Sequence, residues 1–83
     1  MSLEDQFNAA QAKSKTLAQK PSNDVLLKLY SLFKQVAEGD INIERPGGFD
    51  FVGAAKFDAW EALKGQSKEE AQQAYIDYVE SLF

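Results

Sequence analysis

Apolar positions along the chain recur every three or four residues and never alternate, a pattern that predicts helices and no strand. Leu3, Phe7, Ala10, Ser14 and Leu17 fall on one narrow stripe, placing a first helix over about residues 3–17. Ser2 followed by Asp5 resembles a capping box at its start. Lys20-Pro21-Ser22 breaks the pattern, because proline cannot continue a helix and pushes the residue before it out of helical geometry. Ser22 is the expected N-cap of a second helix that runs to Glu38.

The second helix carries two apolar arcs side by side. Val25, Leu29, Leu32 and Val36 share one, and Leu26, Tyr30, Phe33 and Ala37 the other, with Lys34 at its edge beside Tyr30. So wide a nonpolar surface exceeds what one packing partner covers. One arc is expected to face the core and the other a second surface or a ligand.

Residues 39–50 have no helical period and read as a long loop, a feature that in compact domains is usually functional or self-packed. Asp50 is a candidate cap for a third helix from about Val52 to Leu63, with Val52, Ala55, Ala59, Trp60 and Leu63 on its stripe and Lys56 inside that stripe. Gly65 ends it, and Ser67-Lys68-Glu69-Glu70 forms a capping box for a fourth helix. Ala71, Ala74, Tyr75, Tyr78, Val79 and Leu82 make the inward face of that helix. The expectation is an all-α, four-helix bundle, one domain over residues 1–83. The long loop between helices two and three frees it from simple up-down-up-down order.

Charge and composition narrow the function. Thirteen acidic and nine basic residues leave a net charge of −4, which argues against nucleic acid as a partner, since that binding rests on phosphate neutralisation by a basic surface. The absence of cysteine and histidine removes Ser-His-Asp and Cys-His catalysis and thiolate- or imidazole-bound zinc. Carboxylate-pair chemistry stays formally open, although no acidic pair sits on an apolar stripe. There is no Gly-x-Gly-x-x-Gly fingerprint, phosphate loop or calcium-loop spacing. The N-terminus lacks the features of a signal peptide and no apolar run approaches a membrane span, so a cytoplasmic protein without membrane insertion is expected.

The candidate chemistry is two lysines beside aromatic rings. Lys56 on its apolar stripe either snorkels to water or keeps its charge for an anion. Lys34, with Tyr30 and Phe33 close by on the same helix, strengthens the second reading. Ammonium groups pair with phosphate as point charges, and ring faces stack on a base. Aromatic stripes at helical spacing are also ordinary core, so the pattern alone leaves both readings open.

Four ordered blocks bear a resemblance that decides between them. Leu29-Tyr30-Ser31-Leu32-Phe33-Lys34-Gln35 leads on to Gly39-Asp40-Ile41-Asn42 and Glu44-Arg45-Pro46-Gly47. Ala55-Lys56-Phe57-Asp58-Ala59-Trp60 leads on to Leu63-Lys64-Gly65, and Ser67-Lys68-Glu69-Glu70-Ala71 to Ala74-Tyr75-Ile76 and Val79-Glu80. Together they resemble the acyl-CoA-binding protein family, whose members are four-helix carriers of medium- and long-chain fatty acyl-CoA esters, bound one to one without catalysis and without a cofactor.

The resemblance implies that Tyr30 meets the ribose 3′-phosphate, that Lys34 and Lys56 neutralise it, and that Phe33 stacks on adenine. Lys15 would add charge near the phosphates and Tyr75 would close over the nucleotide, with Ser31 and Leu32 among the contacts. Leu26, Leu27, Val52 and Ala55 would line the acyl chain. It further implies a monomer, with acyl-CoA-using enzymes as transient acceptors. Two departures stand out: Phe33 lacks the hydroxyl of the tyrosine common there, and Val52 replaces a frequent lysine. The competing reading from the residues is a protein-interaction module that offers the second arc of helix two to a partner helix.

Overall fold

A side-chain oxygen starts every helix. Ser2 Oγ accepts from the Asp5 amide at 3.1 Å, Ser22 Oγ from Val25 at 3.3 Å and Asp50 Oδ1 from Gly53 at 2.9 Å. At Ser67 the box is reciprocal: its hydroxyl accepts from the Glu70 amide, and Glu70 Oε1 accepts from the Ser67 amide. The computed structural model describes residues 1–83 and gives α1 (Leu3–Ser14), α2 (Asn23–Glu38), α3 (Phe51–Glu61) and α4 (Lys68–Ser81). Helix α1 stops short of Leu17. The Ser14 and Thr16 hydroxyls take the Gln11 and Lys13 carbonyls, and the Lys15 and Thr16 amides tighten to bonds three residues back.

The helices pack in series, α1 on α4, α4 on α2 and α2 on α3, rather than as a closed ring. The result is flat, 42 × 30 × 15 Å. Phe7, Ala10, Leu32, Leu63, Tyr75 and Val79 form the core, with Leu29 and Val36 packed on it. The two arcs of α2 therefore part as the periodicity expects: the aliphatic one turns inward, while Leu26 and Phe33 on the other stay 39% and 41% exposed.

Helix α3 keeps its predicted face at Trp60 and on to Leu63, and departs from it at Val52 and Phe57. Phe57, Trp60 and Leu63 are buried, while Val52 is 66% exposed. Packed on α2 alone, α3 needs only a narrow strip, which the two large rings fill, and its first turn lies beyond the sealed interior.

Helices α2 and α3 run parallel. Lys56 Nζ lies 5.2 Å from the Tyr30 ring centre and Lys34 Nζ lies 5.1 Å from that of Trp60. Each pair joins α2 to α3, and residue numbers rise in the same direction on both. The 16-residue α2 is roughly 24 Å long, so the loop must travel back along its length. Its path is tied down at several points. Gly39, at φ +77°, caps α2 in a conformation that favours glycine, and its carbonyl accepts from Trp60 Nε1 at 2.9 Å. Asp40 Oδ1 accepts from Gln35 Nε2 at 2.9 Å and from the Gly65 amide at 2.8 Å. Gln35 Nε2 also donates to the Gln66 carbonyl, which explains a glutamine on the buried side of α2. Arg45 grips Asp58 with two bonds of 3.0 and 3.1 Å.

These ties carry a pH signature. The hydrogen bonds from Gly65 and Gln35 hold the Asp40 carboxyl below its ordinary range, and the bond from Arg45 does the same for Asp58. A carboxylate with a depressed folded pKa contributes stability above its unfolded pKa and loses it as pH falls through the folded value. The melting temperature should thus be level from neutrality to about pH 5 and fall below about pH 4. Asp40→Asn should make the fall shallower. Thermal unfolding between pH 2 and 7 checks this; a midpoint near pH 6 contradicts it, because the chain has no histidine.

Candidate binding site

The parallel pairing brings the first turns of α2 and α3 to the same end of the molecule, where they part around a groove of about 360 Å³. Asn23, Leu26, Leu27 and Tyr30 form one wall, and Phe51, Val52, Ala55 and Lys56 the other. Leu26, Leu27, Val52 and Ala55, expected along an acyl chain, all lie on these walls, and Tyr30 and Lys56 belong to them too. Apart from Asn23 and Lys56 the lining is hydrophobic, and Phe51 leaves 74% of its surface open, in edge contact with the still more exposed Phe49.

The charge lies along the α2–α3 seam. Lys56 sits over Tyr30, and one turn further on Lys34 sits over Trp60. The two ring–lysine pairs are thus offset by about one helical turn, roughly 5–6 Å of backbone rise. They lie on separate helices and line one seam. Lys34 is ion-paired with Glu38, and that hydrogen bond holds its pKa above the ordinary lysine value, with burial opposing. The ion pairs of the chain join Lys13 to Glu80, Lys34 to Glu38 and Arg45 to Asp58, so Lys56 has no carboxylate partner.

Beyond Lys34 lies an aromatic run. Phe33 stacks on Phe7, with centres 6.4 Å apart and planes at 20°, and Phe7 meets Tyr75 edge-on at 5.0 Å. Tyr75 is nearly buried, which pushes its phenol above the ordinary tyrosine range, while the nearby Ser14 hydroxyl pulls the other way. Lys15 is exposed at the C-cap of α1, next to Ser14.

Three residues of the expected contact set are buried: Tyr75, 5% exposed, lies in the core beneath Phe7 rather than closing over a nucleotide, and two more face inward on α2. Leu32 is 1% exposed in the core, and the Ser31 hydroxyl is sealed beneath α2, donating to the Lys28 carbonyl at 2.9 Å. Both occupy the inward side of α2, so their side chains fix the helix rather than line the groove.

No three acidic, histidine or cysteine side chains converge to hold a metal ion, and no helix is long and apolar enough to cross a membrane. The arrangement suits a ligand with one apolar and one anionic end.

A family model described as "Acyl CoA binding protein" matches residues 4–79. The chain belongs to the acyl-CoA-binding protein family. It is 50% identical over 80 residues to the acyl-CoA-binding protein homolog of Drosophila melanogaster, covering 96% of this chain and 93% of that one. It is 47% identical to the acyl-CoA-binding protein of Gossypium hirsutum, covering 100% and 93%. The crystal structure of Oryza sativa acyl-CoA-binding protein 2 superposes with a TM-score of 0.90 at 42% identity, over 98% of this chain and 90% of that one. A stretch of rat enoyl-CoA delta isomerase 2 is 49% identical over 76 residues, only 19% of that protein, so this unit also occurs within a longer enzyme.

Against this acyl-CoA-binding frame, sequence reasoning missed Asn23 and Phe51 in the groove, Phe7 beneath Phe33, and Glu38 on Lys34. Asn23 and Phe51 were within reach. Asn23 stands in helical phase with Leu26, Leu27 and Tyr30, and Phe51 stands one turn before Ala55. Phe7 and Trp60 needed the tertiary contacts, since local spacing does not say which ring meets which cation.

Proposed function

We propose that the protein binds fatty acyl-CoA esters one to one and carries them in the cytoplasm as a monomer, leaving the thioester intact. The observation that carries this reading is an apolar groove between α2 and α3 with Lys56 in its wall and Lys34 one turn beyond. Family membership supplies the ligand class.

In this reading the acyl chain lies against Leu26, Leu27, Val52 and Ala55. Phe51 extends the apolar wall and Asn23 marks its polar end. Tyr30 offers its hydroxyl to the 3′-phosphate, and Lys34 and Lys56 neutralise it. Phe33, backed by Phe7, stacks on adenine; Tyr75 steadies Phe7 from below, and Lys15 adds charge at the rim. Stacking on an aromatic ring is worth about 1–3 kcal/mol per base. Medium- and long-chain esters are the cargo, and enzymes that use them are transient acceptors.

Native mass spectrometry tests the reading. Titration with a long-chain acyl-CoA should shift the monomer by one ligand mass, with no free thiol released on incubation. A ligand-free dimer that ignores the ester would overturn it in favour of a protein-interaction surface.

A further inference from the structure

Glu38 is the last residue of α2, where its charge meets the negative end of the helix dipole, and the last turn holds no base. Helix stability gives little reason for a carboxylate here, since the i,i+4 pair with Lys34, lysine first, is the weaker orientation. What Glu38 does instead is occupy Lys34. Lys34 lies over Trp60 as well, so its ammonium is held in the α2–α3 seam with the carboxylate beside it. The pair is only part-exposed, at 26% and 40% of the two side chains. Lys56, the other cation of the seam, carries no such partner.

We propose that Glu38 is an affinity-setting residue: an internal carboxylate that competes with the 3′-phosphate for Lys34 and so weakens the nucleotide end of the site. The inference rests on Lys34 being a phosphate ligand. An arriving phosphate either displaces Glu38 from Lys34 or shares the ammonium with it, and sharing sets two like charges side by side. Both routes lower affinity for the nucleotide without touching the apolar groove. Coenzyme A and its esters carry the same nucleotide, so both are weakened by the same factor. Glu38 in this way sets how tightly the site holds any ligand with a 3′-phosphate and leaves the preference for esters to the apolar groove.

The test is calorimetric titration of a long-chain acyl-CoA and its 3′-dephospho analogue into wild type, Glu38→Gln and Glu38→Lys. Glu38→Gln should bind the phosphorylated ester about three- to tenfold more tightly than wild type, and Glu38→Lys more tightly still. All three should bind the dephospho ester alike. The ligand-free melting temperature of Glu38→Gln should hold or rise, since an acid leaves the helix C-terminus. Unchanged affinity of Glu38→Gln for the phosphorylated ester, or an equal gain for both esters, overturns the proposal. If wild type itself binds the two esters equally, the phosphate assignment of Lys34 fails, and the role of Glu38 fails with it.

Discussion

Free coenzyme A should bind about a thousandfold more weakly than its long-chain ester. Burying a methylene is worth about 0.8 kcal/mol, so ten of them offer up to about 8 kcal/mol. The groove is open to water along one side, and ordering the chain opposes binding, so about half of that ceiling, ~4 kcal/mol, is the expected net gain. At 1.4 kcal/mol per tenfold this gives roughly three orders of magnitude. The protein gains from the same event. Leu26, Phe51 and Val52 are exposed before a ligand arrives, and a chain laid across them removes their surface from water as well as its own. Titration calorimetry with both ligands reads the difference directly, and the ester should show the more negative heat-capacity change. Equal affinities would mean that the groove takes no chain.

Replacing Lys56 with alanine should weaken ester binding about ten- to a hundredfold. A hydrogen bond to a charged group is worth about 1.5–3 kcal/mol, and Lys56, the proposed phosphate ligand, has no internal carboxylate to soften the loss. Its present neighbour is the Tyr30 ring, which attracts a cation far less than a dianion does. Lys34→Ala should fall at the lower end of that range, because Glu38 already holds part of its charge. Lys68→Ala is the control: Lys68 opens α4 on an exposed turn and should leave affinity within twofold of wild type. Both seam variants should also lower the salt sensitivity of binding, because a screened charge pair is gone. Three variants binding alike would remove the phosphate from this seam.

The elements legible in the sequence were those written in local chemistry. Ser2, Ser22, Asp50 and the Ser67–Glu70 box announced the four helix starts, and the twin arcs of α2 foretold that one would face the core and the other would not. Of the groove residues on α2, Leu26 and Tyr30 belong to the outward arc, while Leu27 came from the family resemblance and Asn23 from neither. The features that stayed hidden depend on neighbours far along the chain. The direction of α3 is set by the route of the loop. The burial of Phe57 instead of Val52 is set by which side of α3 meets α2. Gln35 looks like a solvated position until Asp40 and Gln66 close around its amide. Ser31 is small enough to suit a ligand surface or a tight helix contact, and spacing alone does not choose between them.

The 15 Å least dimension is little more than the width of one helix, about 10–12 Å with side chains. A body that flat has a large surface for its core. Cargo bound in the proposed groove between α2 and α3 would cover apolar surface that the free protein leaves open. At a ligand concentration a hundred times the dissociation constant this is worth about 2.7 kcal/mol of added stability. Proteases should accordingly cut the vacant carrier well before the loaded one, so that the lifetime of the chain reports how much ester surrounds it.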